Sequence, residues 1–255
     1  MKLVVVSKSN IASANIGKIL KKKHRDVKIF ETDKGVLDLD SLESEFKNLK
    51  AELIIVASSH KSGVGIPMLN CHTTGNWTSD NSHGGTPRKL SIAPALYLRT
   101  GVLEFQKLKS ERKELKSYEI GMEVTHHGPT IPFPVIFVEV GSTEKQWTDL
   151  SACEAAADVI HKLAAEEPEK VPVAIGFGGG HYCPQFNKKL SEIALGHICP
   201  KYAADKIDEI MVLQAFSRTI PKPDSALIEW KGLTGPQRKK IIEILEKNKL
   251  SWKKF

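Results

Sequence analysis

Six of the nine histidines in the chain, His60, His72, His83, His126, His127 and His181, fall in segments that read as loops. Histidine changes charge near neutral pH, and it can ligate a metal, move a proton or bind phosphate. The segment Glu123-Val-Thr-His126-His127-Gly128-Pro129 is the densest. Neighbouring side chains of an extended chain point to opposite faces. His126 and His127 therefore serve one site only if the Gly-Pro turn redirects one of them. Otherwise they are loop histidines satisfied by backbone groups.

Gly178-Gly179-Gly180-His181-Tyr182 follows an apolar run. Glycines let a backbone approach a ligand closely, and a helix start can hold an anion. The spacing is neither a P-loop nor a dinucleotide fingerprint, and a tight strand-to-helix turn would read the same way. In Asn81-Ser-His83-Gly-Gly-Thr-Pro-Arg88, His83 could bind a metal and Arg88 could grip phosphate. Trp77 could stack on a base, or anchor the loop on the core.

Ser58-Ser59-His60-Lys61-Ser62 sets hydroxyls beside a base, but without the G-x-S-x-G elbow a serine triad is poorly supported. Glu123, Glu139 and Glu144 are the acidic candidates. Amides of Gly141-Ser142-Thr143 could stabilise an oxyanion, while Glu144 and Asp149 also suit a helix start. With no H-E-x-x-H or C-x-x-C spacing, a structural zinc is unsupported. A catalytic zinc needs three protein ligands, here from distant histidines, and an open position.

The elements that must position these residues are short apolar runs at Lys2–Val6, Ala51–Ala57, Glu119–Val124, Pro134–Val140 and Val171–Phe177, each followed by a polar loop. They are rich in Val and Ile and continuous, as strands buried on both faces are. Ile210–Ala215 and Leu227–Trp230 read as later strands. Helical patterns cover the stretch capped by Ser9 or Ser13 and ending at Lys23, and then Asp40–Leu49. Others are Ile92–Leu115 with a break near Gly101, Leu150–Ala165, Pro184–Leu195, and a capping-box helix from Thr234 to Lys247. Residues 61–90 form a long polar loop of the functional kind. The alternation predicts an α/β fold, a mostly parallel sheet with helices on both faces, as a single unit over residues 1–255 with no boundary that can be drawn. Ligands of such sheets bind beyond the carboxyl ends of the strands, where the histidine loops lie.

No run of about 18 apolar residues suggests a membrane helix, and polar Ser7-Lys8-Ser9-Asn10 follows the first apolar run too soon for a signal peptide. Cys71, Cys153, Cys183 and Cys199 are dispersed as in a reducing cytoplasm. Lys and Arg outnumber Asp and Glu by 37 to 30. That surplus suits a phosphate-rich partner if the basic clusters share one side.

Taken together, ASSHKS at 57–62, NSHGGTP at 81–87, EVTHHGPT at 123–130, VGSTEKQW at 140–147, GFGGGHYCP at 176–184 and KPDSALIEWKGLTGPQR at 222–238 resemble the archaeal and plant type of D-aminoacyl-tRNA deacylase. The resemblance spans nearly the whole chain. It implies an α/β fold of phosphorylase and hydrolase type with a part similar to peptidyl-tRNA hydrolase, hydrolysis of the ester of D-aminoacyl-tRNA, a zinc requirement, and a cytoplasmic monomer acting on the tRNA acceptor end. The site expected on this basis places zinc on His83, His126 and His181. Proton transfer falls to His126, His127, His181, Glu123 and Glu139. Substrate would be bound by His60, Lys61, His83, Arg88, Ser142, Thr143, Gly178, Gly179 and Gly180. Rival readings are a metal-free deacylase, a metal-dependent amidohydrolase or nucleoside phosphorylase acting on a small molecule, and a non-catalytic RNA-binding protein.

Overall fold

A computed structural model describes residues 1–255. Its first half is built from β1 (Lys2–Ser7), α1 (Ile11–Lys23), β2 (Ile29–Thr32), α2 (Glu43–Asn48), β3 (Leu53–Lys61), β4 (Met68–His72), β5 (Ala93–Pro94), α3 (Ala95–Glu111) and β6 (Glu119–Met122). There follow β7 (Val135–Ser142), α4 (Glu144–Trp147), α5 (Leu150–Ala165), β8 (Val173–Phe177), α6 (Pro184–Asn187), β9 (Ala194–Cys199), α7 (Glu209–Ser217), β10 (Thr219–Ile220), β11 (Ser225–Ile228), α8 (Gly235–Lys247) and β12 (Trp252–Lys254).

Two sheets carry the molecule. One has six strands in the order β2-β1-β3-β7-β4-β6, and the other has four in the order β12-β11-β8-β9. A two-residue pair joins β5 to β10. Every pairing is parallel except β4 with β7. That exception has a cause in chain length. Only residues 62–67 separate β3 from β4, and a parallel crossover needs a dozen residues or more. The chain must run back on itself, and β7 later enters between the two strands. The mostly parallel α/β architecture expected from the sequence is therefore present, with one antiparallel joint.

The largest apolar cluster joins α1, α3 and α5 to the six-stranded sheet, and it includes Ala174, Leu195 and Ile198 of the other sheet. Gly101 lies inside an unbroken α3. A Cβ there would come within 2.8 Å of Cys71 Sγ, so the glycine serves close packing of helix on strand and not a break. No helix is long and apolar enough to cross a membrane.

Among the differences from expectation, besides unexpected strands such as β2, β5 and β12, three concern the elements that were read from the sequence. Pro184 does open a helix, but α6 stops at Asn187, and the buried run Ala194–Cys199 is a strand paired with β8. Ile210–Ala215 lies in a helix, because Asp208 caps it through Met211 N and Met211, Val212, Ala215 and Phe216 form one buried helical face. The polar stretch 61–90 contains β4, whose pairing was masked by its polar alternate residues Asn70 and His72.

Candidate active site

Strand alternation assembles the first half of the site. Register places Ser58 opposite Glu139, His60 opposite Gly141, Asn70 opposite Glu139 and His72 opposite Phe137. These residues therefore share one face of the sheet. The other face, with Ala57, Leu69, Cys71, Val138 and Val140, is buried in the main core. Toward the start of β3 the site-bearing face is also apolar, and Ile54 and Val56 pack with Val135 and Phe137. Along β3 that face reads Ile54, Val56, Ser58, His60, so it turns from core to chemistry within four positions.

Glu123 follows β6, and its amide donates to Cys71 O at 3.1 Å, which extends the face by one more carboxylate. The second sheet supplies His181, on the turn after β8. Two backbone bonds stitch the halves together, from Val124 N to His181 O at 3.0 Å and from Thr125 N to Ile198 O at 3.1 Å. His127 adopts φ of 41°, in the left-handed region. That reversal brings both adjacent histidines to one side, with ring centroids 4.3 Å apart. The His126 ring lies equally close to His72 and 4.5 Å from His181.

Hydrogen bonds fix the orientation of these rings. Nδ1–H of His72, His126 and His127 each has a backbone carbonyl to donate to, on Thr73, Val124 and Gly128 respectively. That tautomer leaves the Nε2 lone pairs free, the arrangement metal-binding histidines use. Asn70 Nδ2 donates to Glu123 Oε1 at 2.9 Å. Glu123 Oε2 then lies 3.3 Å from His181 Nε2 and 3.6 Å from His126 Nε2. His60 Nδ1 is 3.3 Å from Glu123, and its Nε2 shares a hydrogen bond with Tyr182 OH at 3.2 Å. Glu139 Oε2 is 3.5 Å from His72 Nε2 and 3.8 Å from His60 Nδ1.

Burial and the neighbouring His72, His127 and His181 hold His126 far below its ordinary pKa. Burial and His72 hold His127 down to about 3. Both rings are thus neutral at pH 7, as ligands must be. Burial opposes a charge on His72 too, but Glu139 outweighs it and raises the pKa. Burial likewise opposes the Glu139 carboxylate, and His72, His127 and His60 win by pulling its pKa down.

Six buried side-chain polar atoms in the molecule have no hydrogen-bond partner, and four of them, Ser58 Oγ, Asn70 Oδ1, His72 Nε2 and Glu123 Oε2, belong to this face. Such atoms are rare in folded proteins, so their concentration marks a place built to meet something other than the chain itself. Glu123 Oε2 has histidine nitrogens at ion-pair distance but none in hydrogen-bonding geometry. Three groups gather potential metal-ligand atoms within 4.8 Å of one another: His72-His126-His127, Glu123-His126-His181 and His60-Glu123-Glu139.

A sequence model of the family described as D-aminoacyl-tRNA deacylase matches residues 47–253. The D-aminoacyl-tRNA deacylase of Methanocaldococcus jannaschii is 36% identical over 99% of this chain and 98% of its own length. The chain belongs to the D-aminoacyl-tRNA deacylase family. The Methanosarcina barkeri member is 42% identical over 83% of this chain and 69% of its own. A crystal structure of a conserved protein of unknown function, AF0625, superposes with a TM-score of 0.90 at 27% identity, covering 100% of this chain and 95% of that one.

In this deacylase-family chain, several of the residues singled out from the sequence stand together. Glu123, Glu139, His60, His126, His127 and His181 form the cluster just described. Lys61 is exposed at the rim of the cleft that they line. Others stand outside the ligand groups or are engaged within the chain. His83 is exposed and stands outside all three ligand groups, while buried His72 occupies the inner position. The Arg88 guanidinium is bound to Asp208 at 2.5 Å, so its charge is already answered within the chain. Ser142 Oγ donates to Ile66 O, and Thr143 N to Gln146 Oε1 in the capping box of α4, so the Ser142 hydroxyl and the Thr143 amide are bonded within the chain. Gly178 and Gly179 are buried, with φ of 116° and 76°, and a Cβ on either would meet Glu229. With Gly180 they make the turn that delivers His181, and none of the three lines the clefts beside the histidines. Asn70 and Tyr182 complete the site, and neither was singled out for a role. The alternation Leu69-Asn70-Cys71-His72 was the available signal for Asn70 and His72.

Proposed function

We propose that this chain hydrolyses the ester joining a D-amino acid to the 3′ end of tRNA. Family membership supplies the reaction class. The observation that carries the assignment to this site is the joining of two sheets around Glu123, which no other buried carboxylate in the molecule matches for histidine neighbours.

The donor set suits zinc. His72, His126 and His127 would hold it, each oriented through Nδ1. His126 and His127 are already held neutral, whereas His72, whose pKa Glu139 raises, would give up a proton on binding. Zinc so held would act as a Lewis acid and make water more acidic. The residues of the chain have their own tasks. Glu123, fixed by Asn70, takes the proton of the attacking water at Oε2, the oxygen that faces His126 and His181. His181, with a side chain 34% exposed, is placed to return a proton to the departing ribose oxygen. His60, held by Tyr182 OH and 3.3 Å from Glu123, keeps that carboxylate aimed. Glu139 lies 3.5 Å from His72 Nε2 and orients that ring. Small-molecule amidohydrolase or phosphorylase chemistry has no comparable support.

The test is the release of D-tyrosine and L-tyrosine from matched aminoacyl-tRNAs, with and without a chelator. Release of the D isomer alone is expected, suppressed by the chelator and restored by zinc. Equal release of both isomers, or of neither, would overturn the proposal. Full activity after rigorous metal removal would strike zinc from it.

A further inference from the structure

Two clefts share one wall of histidines. A cleft of about 490 Å³ is bounded by Val36, Leu37, Ser58 and Lys61, and one of about 350 Å³ by Asn76, Trp77, Tyr202 and Lys206. His83, His126, His127 and His181 line both. An ester has two chemically different halves, and a site that cuts it must seat one on either side of the reacting bond. On the reading that this cluster cuts an aminoacyl ester, we infer that the cleft of Trp77, Tyr202 and Lys206 is a nucleoside subsite that holds the terminal adenosine of the tRNA. The cleft of Val36, Leu37, Ser58 and Lys61 is left to the amino-acid half.

Three observations separate the clefts. Tyr202 is 58% exposed, although it sits on a turn with little freedom. Ala203 and Ala204 beside it are buried, Ala203 N donates to Pro200 O, Lys206 N donates to Ala203 O, and Lys201 N ties the turn to Gly179 O. A large ring held outward by a pinned turn contributes nothing to the core, yet it offers a fixed face on which a base can stack. Trp77 lines the same cleft, is nearly buried, and its indole N–H has no partner. Its ring packs against Phe177 and His197 and forms a fixed wall of the cleft. Lys206 is exposed at the cleft and makes no salt bridge, which leaves its charge for a phosphate. Asp80 adds an acceptor for a ribose hydroxyl or an exocyclic amine. The other cleft has no aromatic side chain apart from the shared histidines and His60.

Adenosine 5′-monophosphate is the probe. It is expected to inhibit hydrolysis of D-tyrosyl-tRNA competitively. Tyr202→Ala is expected to weaken that inhibition and to raise KM by about tenfold or more while kcat stays within about twofold, with Tyr202→Phe restoring both. Lys206→Ala, a second variant on an exposed side chain, is expected to raise KM and to flatten its dependence on salt. Non-competitive inhibition would mean a separate site for free nucleotide and would overturn the subsite. So would unchanged KM and inhibition in both variants. If the wild-type protein cuts no D-aminoacyl ester, the proposed function fails by itself. Calorimetric binding of adenosine 5′-monophosphate to wild type and Tyr202→Ala then decides the subsite separately, because Tyr202-dependent binding supports it and its absence removes it.

Discussion

Glu123 Oε2 lies 3.3 Å from His181 Nε2, although the two residues follow strands of different sheets. The contact exists because the segments behind it are tied to each other, Val124 N to His181 O and Thr125 N to Ile198 O. The site is therefore a seam. Its geometry depends on how the two sheets dock, and its carboxylate touches histidines from both. Glu123→Gln keeps the shape of the side chain and an oxygen for Asn70 to donate to, but removes the charge and one acceptor. Hydrolysis of D-aminoacyl-tRNA should fall by about 100-fold or more, the range for losing a general base. Thermal unfolding should stay close to wild type. A Tm that falls in step with kcat would reassign Glu123 to structural support of the seam.

His72 and His83 make a second, opposed pair. The first is fully buried against His126 and Glu139, and the second is exposed at the mouth. His72→Ala should lower zinc affinity by more than the about 10–100-fold typical of losing an outer partner. His83→Ala should leave zinc content at the wild-type level. Metal analysis after dialysis against a graded zinc buffer distinguishes them. Retained zinc in His72→Ala would move the metal to Glu123-His126-His181 or out of the site.

His83 and His72 also show where sequence reasoning reached its limit. The Gly-rich setting of His83 resembles a metal-binding loop, but His83 stands outside the ligand groups and lines the clefts beside them. Its carbonyl accepts from Gly128 N, and Gly84 and Gly85 take φ of 77° and 76° to make the turn. His72 was hidden because a five-residue strand with two polar positions does not stand out in a stretch full of Gly, Thr and Asn. The His126-His127 pair was legible up to a condition, that the turn must redirect one ring, and φ at His127 is how the condition is met. Arg88 could not be judged at all, because its partner Asp208 is 120 residues away. The alternation of strands and helices, by contrast, is written locally in runs of Val and Ile and in caps such as Thr234. That is why the fold class was readable and the partners of individual side chains were not.

Gly141 gives a third prediction. It lies directly across from His60, and a Cβ built on it would come within 2.6 Å of His60 Cβ and 2.7 Å of Cδ2. Both strands are central and fixed, so the ring of His60 would have to yield. Gly141→Ala should destabilise the fold by about 1–3 kcal/mol, as overpacking does. It should also lower activity more than that loss explains, because His60 would leave Glu123 and Tyr182. Urea unfolding and kcat measured on the same sample separate the two effects. Wild-type activity in a destabilised variant would show that the position of His60 is unimportant to the reaction.

His197 gives a prediction in pH. It is fully buried away from the cluster, its Nε2–H donates to Ser91 O at 3.0 Å, and its Nδ1 faces Thr125 Oγ1 at the same distance. Burial pushes its pKa down to about 4, against about 6.5 in an unfolded chain. Above pH 6.5 neither state holds the proton, and the histidine imposes no penalty. As the pH falls from about 6.5 to about 4 the unfolded chain takes up a proton that the folded one refuses, so stability must fall with pH across that window and level off below it. The loss from this one group is at most roughly 3 kcal/mol. His126 and His127 in the metal-free protein act in the same direction, so the measurement is a difference. Unfolding free energies of wild type and His197→Asn are compared at pH 7, 6 and 5. The variant, which has no such proton to refuse, should be the less stable one at pH 7 and should close the gap as the pH falls. A gap that is constant with pH would mean that His197 is protonated as readily in the folded chain as in the unfolded one, and that its burial is less complete than the fold implies.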